Sequence, residues 1–194
     1  MSTLKIILAS TRPGSIAPAI GAFVADRARS QARFDRVEVL DLAEIALPFL
    51  DEPHHPRLGT YTKPHTFAWS DTVDEADAFV IVVPEYNGGF PAALKNALDY
   101  LHAEWRDKPL GVVSYGGGPG GGAGAASMLV PVTRALGLVT TDNGVAIGGA
   151  PRLVVEGEFL ATAAIEQAAD LMLNEVADLD ADLGPRRVAL LAAS

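Results

Sequence analysis

The segment Leu4-Lys5-Ile6-Ile7-Leu8-Ala9-Ser10-Thr11-Arg12-Pro13-Gly14-Ser15 decides the fold. Residues 4–9 form a near-continuous β-prone run, which is typical of a strand buried on both faces of a parallel sheet. The turn-forming residues that follow end this strand. From Ile16 to about Ser30, apolar side chains recur at helical spacing. The sequence therefore predicts a buried strand, a short loop and an amphipathic helix in succession.

The same alternation repeats along the chain. Further strands are predicted at 36–42, 77–83, 110–115 and 138–147, and further helices at 91–102, 125–138 and 159–183, the last ended by Gly184-Pro185. Residues 43–66 contain four prolines and are predicted to form a long loop. This order predicts an α/β fold with a doubly wound, five-stranded parallel sheet and helices on both faces. Ligands of such sheets bind beyond the carboxyl ends of the strands.

Length and composition limit the classes of protein to consider. A chain of 194 residues, 49% hydrophobic and 20% charged, fits one domain, with a core at about 4–183 and a C-terminal tail at 184–194. The absence of cysteine excludes disulfides, thiolate nucleophiles and iron–sulfur clusters.

Charge and hydropathy argue against nucleic-acid and membrane partners. Lys and Arg number 15 against 24 Asp and Glu, and the resulting net charge of −9 repels phosphate backbones and anionic lipid. No stretch reaches the roughly 18 apolar residues of a membrane-spanning helix. The first nine residues do not resemble a signal peptide, so a cytoplasmic protein is expected.

The loop after the first strand has the features of a phosphate site. Ser10, Arg12 and Ser15 place two hydroxyls and a guanidinium just ahead of a helix whose first N–H groups are free. The loop lacks the lysine of a nucleoside-triphosphate loop, so a phosphate monoester fits better. The alternative is that Ser15 only caps the helix.

The loop after the strand at 77–83 reads Pro84-Glu85-Tyr86-Asn87-Gly88-Gly89-Phe90-Pro91. Its glycines, backbone groups and aromatic side chains could accommodate a flat heteroaromatic ring. An ordinary strand-to-helix turn would have a similar composition, because Asn-Gly and a proline at a helix start are common turn residues.

These residues also carry a resemblance. Pro84-Glu85-Tyr86-Asn87, followed by Gly89, Pro91 and Leu94-Lys95-Asn96-Ala97-Leu98-Asp99, resembles the signature of the NADPH-dependent FMN reductase family. The resemblance extends back to Ser10-Thr11-Arg12-Pro13-Gly14 and forward to Ser114-Tyr115-Gly116-Gly117, and covers about Lys5 to Gly148. Ala9 departs from the family pattern, in which a glycine is frequent there, and the run Gly116–Gly124 is richer in glycine than usual.

The resemblance implies a flavodoxin-like fold, tightly bound FMN, and NADPH or NADH as the electron donor. It also implies transfer to small-molecule acceptors, namely quinones, azo dyes, metal oxyanions such as chromate, or free flavin. Because one shallow site at the strand ends would have to serve donor and acceptor in turn, ping-pong transfer is expected. By position, the cofactor-binding residues would be Ser10, Arg12, Ser15 and Ile16 at the phosphate, Pro84, Glu85, Tyr86, Asn87 and Gly88 beside the isoalloxazine ring, and Ser114, Tyr115, Gly116 and Gly117 at its other edge. The flavin would carry the chemistry, so neither a catalytic side chain nor a metal is implied.

Members of this family are usually homodimers or homotetramers. Leu94, Leu98 and Leu101 form an apolar stripe on the predicted helix at 91–102, and a dimer contact through this helix is therefore expected.

Other functions remain open. Gly116, Gly118 and Gly121 satisfy the dinucleotide-binding pattern, with Asp142 about twenty residues further on. An FMN-binding electron carrier without its own NAD(P)H activity is the main non-enzyme alternative. A metal site would have to use Asp51, Glu52, His54 and His55, which share one loop. A serine hydrolase is disfavoured because the G-x-S-x-G pattern does not occur.

Overall fold

The computed structural model describes residues 2–191, with side chains described as far as residue 187. Its main sheet contains β1 (Thr3–Leu8), β2 (Arg36–Asp41), β3 (Ala78–Pro84), β4 (Pro109–Tyr115), β5 (Val139–Thr140) and β6 (Val145–Ile147). The strand order is β2-β1-β3-β4-β5, β6 also pairs with β4, and every pairing is parallel. Since β5 and β6 share the fifth position, the predicted five-stranded sheet is confirmed, with its last strand interrupted.

The central strands are buried on both faces, as their continuous apolar runs predict. Every residue of β1, β3 and β4 is buried, whereas the edge strand β2 alternates between exposed and half-buried positions. Ile6 lies between Val39 of β2 and Val80 of β3 in the parallel register. Apolar and polar residues alternate along β2, though weakly, because this strand lies at the edge of the sheet.

Helices cover both faces of the sheet. They are α1 (Ala17–Gln31), α2 (Leu42–Ile45), α3 (Pro64–Asp74), α4 (Ala92–Asp99), α5 (Ala123–Ala135) and α6 (Ala163–Leu191). The apolar sides of α1 and α6 pack on one face, and those of α3, α4 and α5 on the other. The structure therefore confirms the predicted α/β class.

The segment predicted to be one long loop, 43–66, contains helical structure. It includes most of α2, a 3-10 turn at Pro56–Leu58 and the first residues of α3. Pro64 occupies the first turn of α3, where a missing N–H costs nothing, and Trp69 and Val73 are buried on the sheet. The prolines that suggested a loop therefore include one that starts a helix.

The C-terminal part differs from the prediction in two ways. Val154–Val155 (β7) and Glu158–Phe159 (β8) form a small antiparallel hairpin, so α6 begins at Ala163 rather than at Phe159. The prediction that Gly184-Pro185 ends this helix is wrong, because α6 continues to Leu191. Residues 192–194 of the predicted tail lie outside the described residues.

Tertiary contacts explain why α6 passes its proline. Arg187, beyond Pro185, donates from its guanidinium to the Asp107 carbonyl at 3.1 Å and forms ion pairs with Asp77 and Asp180. These contacts hold the last turns against the body of the sheet and offset the loss of one backbone hydrogen bond at the proline. A local helix-stop signal carries no information about such long-range contacts.

The interruption between β5 and β6 is fixed by a carboxylate of α6. Glu175 accepts hydrogen bonds from the backbone N–H groups of Asp142 and Asn143, at 2.6 and 3.0 Å, and from the Asn143 side chain at 2.9 Å. The chain thus leaves the sheet at 141–144 and returns to it for β6. Within the described part of the chain, no helix is long and apolar enough to cross a bilayer.

Lys108, directly before β4, is a buried cation that supports α3. Its Nζ donates to the carbonyls of Val73 and Asp74 at 2.9 and 3.0 Å, at the carboxyl end of that helix. Burial lowers the pKa of the Lys108 ammonium to about 8. The folded protein therefore loses this proton at lower pH than the unfolded chain does.

This difference predicts that the contribution of Lys108 to stability rises with pH. Between about pH 8 and 10.5 the unfolded chain holds more protons at this residue, so the free energy of unfolding should increase with pH relative to Lys108→Met, by up to about 1.4 kcal/mol per pH unit. Urea unfolding of both proteins at about pH 7.0, 8.5 and 9.5, one value below this window and two within it, measures the difference in the free energy of unfolding. A difference that stays constant over these pH values would contradict the assignment.

Candidate active site

Three loops meet at the carboxyl edge of the sheet. They follow the adjacent parallel strands β1, β3 and β4, and we call residues 9–16, 85–91 and 116–122 the first, second and third loops. The Glu85 N–H donates to the Tyr115 carbonyl at 3.1 Å, and the Ala9 N–H donates to the Val82 carbonyl at 3.0 Å. The three predicted site segments therefore form one continuous surface.

The first loop presents unpaired donors to solvent. The Ser15 N–H donates to the Arg12 carbonyl at 3.1 Å and closes a turn, in which Gly14 has a φ of +73°. Within residues 2–187, the N–H groups of Thr11, Arg12, Gly14 and Ile16 have no acceptor, and the exposed Arg12 guanidinium has no hydrogen-bond or ion-pair partner. Such a set of N–H groups and one cation at a helix start fits a phosphate.

Ser15 lies one residue before the N-cap position of α1, which Ile16 occupies without a side-chain hydrogen bond, and the contact of Ser15 to the helix does not exclude a ligand. Its Oγ accepts the Ala17 N–H at 3.1 Å, in the first turn of α1. The hydroxyl proton is not used in this bond and can still be donated.

The second loop is built around a tight turn. Tyr86 and Gly89 exchange backbone hydrogen bonds of 2.8 and 3.0 Å, and Asn87 and Gly88 between them have φ values of +52° and +82°. Positive φ at both central residues is the type I′ geometry that Asn-Gly favours. Asn87 and Gly88 are exposed at the tip, and their N–H groups have no acceptor within residues 2–187.

The Glu85 side chain has a structural contact that its sequence position did not indicate. Its Oε2 accepts the N–H groups of Gly124 and Ala125, at 2.8 and 3.3 Å, in the first turn of α5. A carboxylate at this end of a helix interacts favourably with the helix dipole. A Cβ on Gly124 would lie 2.8 Å from this carboxylate oxygen and 3.0 Å from the Gly88 carbonyl oxygen, so a larger residue there would displace the carboxylate or the second loop. The carboxylate thus fixes the second loop to α5.

The third loop has a packed part and an open part. A Cβ on Gly121 would lie 2.8 Å from the Ala146 backbone, and one on Gly122 2.7 Å from the Tyr115 nitrogen. Around Gly117, Gly118 and Gly120, by contrast, a Cβ would meet no atom within 4 Å. The packed glycines let the loop approach β6 and β4 closely, and the open ones leave backbone groups accessible to a ligand.

Ser114 supports the third loop from beneath. It is buried, and its Oγ donates to the Gly121 carbonyl at 2.8 Å. The structure therefore brings Ser114 to the predicted site, but its hydroxyl is used to hold the loop.

The position of the dinucleotide-binding pattern in the fold argues against a dinucleotide site. Gly116, Gly118 and Gly121 follow β4, whereas the dinucleotide fingerprint follows the first strand of its fold. Asp142, the predicted ribose partner, lies in the break between β5 and β6, where its N–H donates to Glu175.

A cavity that the sequence pattern did not indicate adjoins the first loop. It has a volume of about 560 Å³ and is lined by Thr11, Leu42, Ala43, Ala46, Leu47, Pro48, Phe49, Ala92, Ala93, Asn96 and Ala97. The Asn96 amide is already occupied, since it accepts the Leu50 N–H at 2.9 Å and donates to the Pro48 carbonyl at 2.7 Å. The lining is otherwise almost entirely apolar and contains no ionisable side chain.

The two acidic residues considered for a metal have other contacts. Burial raises the pKa of Glu52, but hydrogen bonds from the backbone N–H groups of Thr62 and Lys63 and from the Thr62 hydroxyl outweigh it and lower the pKa to about 2. Asp51 pairs with His65 at 2.9 Å. Among the residues that the structure describes, no group of three His, Asp or Glu side chains could hold a metal ion.

The apolar stripe expected to form a dimer contact is part of the core. Leu94, Leu98 and Leu101 are each 0% exposed and pack against the sheet. The prediction that this stripe faces a partner is wrong, because helical spacing cannot distinguish an outward face from one that covers a sheet.

Comparisons with known proteins agree with this geometry. The chain is 46% identical over 120 residues to an NAD(P)H-dependent FMN reductase of Schizosaccharomyces pombe, covering 61% of this chain and 60% of the relative. It is 38% identical over 90 residues to an NADPH:quinone oxidoreductase of Arabidopsis thaliana, covering 45% and 44%. The chain thus matches less than two thirds of these relatives' lengths.

A solved structure shows the same fold. The flavoenzyme NAD(P)H:(acceptor) oxidoreductase FerB of Paracoccus denitrificans superposes with a TM-score of 0.74 at 20% identity, covering 94% of this chain and 99% of that one. The family model for NADPH-dependent FMN reductases matches residues 3–152, which include all three loops. The chain therefore belongs to the NADPH-dependent FMN reductase family.

Proposed function

We propose that this chain binds FMN at the three loops and transfers electrons from NADPH or NADH to a small-molecule acceptor by a ping-pong mechanism. The observation that carries the proposal is the first loop, where unpaired N–H groups and the unpaired Arg12 adjoin the start of α1 within the described residues. These donors fit a phosphate monoester such as that of FMN.

The second and third loops supply what a flavin ring requires. The exposed tip at Asn87 and Gly88 and the open glycines at 117–120 offer backbone groups to a flat ligand. When bound, FMN would supply hydride chemistry between the nicotinamide and the acceptor. The residues of the chain would bind, orient and stabilise charge, and no side chain needs to transfer a proton.

If the chain binds FMN tightly, the purified protein should be yellow and release FMN on heat denaturation.

Arg12 provides the sharpest test of how FMN is bound. Arg12→Ala should weaken FMN binding about tenfold to a hundredfold, since a charge-assisted hydrogen bond contributes roughly 1.5–3 kcal/mol. Riboflavin lacks the phosphate, so its affinity should hardly change. Calorimetry with both flavins measures the two dissociation constants.

The matched control is Arg29→Ala, which removes an arginine of α1 that pairs with Asp26 at 3.2 Å. This variant should bind both flavins like the wild type. Equal weakening of FMN and riboflavin by Arg12→Ala, in a protein that remains folded, would place the phosphate elsewhere.

The cavity supports an uncharged acceptor. It extends from Thr11 in the first loop to Ala92 and Ala93, just after the second loop, and so adjoins the proposed flavin site. Because its lining contains no cation, it is better suited to a planar apolar molecule such as a quinone than to a metal oxyanion. We infer that quinones and comparable azo compounds are the better acceptors of the four classes considered.

Narrowing the cavity should reveal which acceptors use it. Ala93→Phe should raise the KM for a naphthoquinone about tenfold and leave the FMN dissociation constant unchanged, since a phenyl ring displaces part of the ligand. The control Ala181→Phe, on the exposed side of α6, should change neither value. Initial rates with quinone and with chromate measure the effect, and an unchanged KM for the quinone would remove the cavity from the acceptor site.

The same kinetics test the reaction scheme and the electron-carrier alternative. One site that serves donor and acceptor in turn should give parallel double-reciprocal plots for NAD(P)H and quinone. Intersecting plots would contradict ping-pong transfer. An electron carrier would not oxidise NAD(P)H without a separate reductase. Assembly as a homodimer or homotetramer, a single domain over 1–194 and a cytoplasmic location stay predictions.

A further inference from the structure

Two tyrosines, Tyr86 of the second loop and Tyr115 at the end of β4, reach to the first loop. The Tyr86 hydroxyl lies 2.7 Å from Ser10 Oγ, although the residues are 76 positions apart in the chain. The Tyr115 hydroxyl lies 3.5 Å from Ser15 Oγ. The family resemblance places both tyrosines beside the flavin ring, yet their hydroxyls lie at the loop that we propose for the phosphate.

The surroundings make these four hydroxyls good donors for an anion. Ser10 and Tyr115 are buried, at 5% and 6% exposure, whereas Tyr86 is partly exposed, at 39%. Burial raises the pKa of Tyr115, so its phenol keeps its proton at neutral pH. The nearest carboxylate in the sequence, Glu85, is bound to the start of α5 and does not compete.

In the structure, the four hydroxyls satisfy one another. Ser10 pairs with Tyr86, and both Ser10 and Ser15 hydrogen-bond to the Tyr115 hydroxyl. These three contacts use three of the four hydroxyl protons, and each proton can be redirected because a hydroxyl rotates to suit its acceptor. An acceptor with several lone pairs, placed beside Arg12, would use these protons.

We propose that Tyr86 and Tyr115 recognise the phosphate of the ligand, so that one dianionic group contacts the first loop, the second loop and the end of β4. This inference rests on the proposed function and extends it, because it assigns to the phosphate two side chains that the family resemblance places beside the ring. Tyr86, the more exposed of the two, would determine selectivity for the phosphorylated flavin.

The test compares the binding of FMN, riboflavin and inorganic phosphate to the flavin-free protein. Tyr86→Phe should weaken FMN and inorganic phosphate about threefold to tenfold, the value of one neutral hydrogen bond, and leave riboflavin unchanged. Ser10→Ala should have the same pattern. The control is Tyr61→Phe, which removes a hydroxyl bonded to Glu104 at 2.7 Å, away from the three loops, and should bind all three ligands like the wild type.

Several outcomes would overturn this inference. If Tyr86→Phe weakened the binding of FMN and riboflavin equally, the Tyr86 hydroxyl would contact the flavin ring and not the phosphate. If FMN binding were unchanged or tighter, the Tyr86 hydroxyl would serve only to hydrogen-bond to Ser10. If the wild type bound FMN and Tyr86→Phe gave either of these results, the proposed function would stand and this inference would fall. If the wild type bound inorganic phosphate in a Tyr86-dependent way but no flavin, the inference would stand and the proposed function would fall.

Discussion

Parallel pairing of three neighbouring strands is the constraint on which the site depends. Leu8 lies beside Val82, and Val83 beside Ser114, so the carboxyl ends of β1, β3 and β4 reach the same edge. A parallel strand can return only through a crossover, and the loop that starts each crossover must therefore leave from that edge. The backbone hydrogen bonds of the sheet therefore bring together three segments that are distant in the sequence.

Side chains then hold the loops from below and leave their outer surface unsatisfied. Glu85 fixes the second loop to α5, and Ser114 fixes the third loop through the Gly121 carbonyl. The N–H groups that face solvent in the first loop keep their hydrogen-bonding capacity because water satisfies them in the absence of a ligand. The contacts that hold the loops are thus separate from the exposed N–H groups. The site is therefore prearranged, since an anion could replace water at these N–H groups without moving the loops.

The sequence predicted those features of fold and site that depend on local patterns. The continuous apolar runs of β1, β3 and β4 and the turn residues after them indicated both the sheet and the loops. The start of α3 at Pro64 was missed because a proline suits the first turn of a helix as well as a loop. The passage of α6 through Pro185 was missed because the long-range contacts of Arg187 override the local proline signal. The hydrogen bond between Ser10 and Tyr86 could not be predicted from either segment of the sequence, because it exists only once the strands have paired.

The charge distribution gives the first loop its specificity. The chain has a net charge of −9, so its overall field repels a dianion. Arg27 of α1 and Arg33, just beyond the end of that helix, are paired with Asp170 and Asp178 of α6 and so already have a counter-charge. Arg12 differs in having no such partner among residues 2–187, and it lies where the N–H groups of the first loop are also unpaired. Attraction that is confined to a few ångströms within a repulsive field requires a close fit. Under the proposed function, FMN would therefore have to bring its phosphate into the first loop and its ring to the second and third loops at the same time.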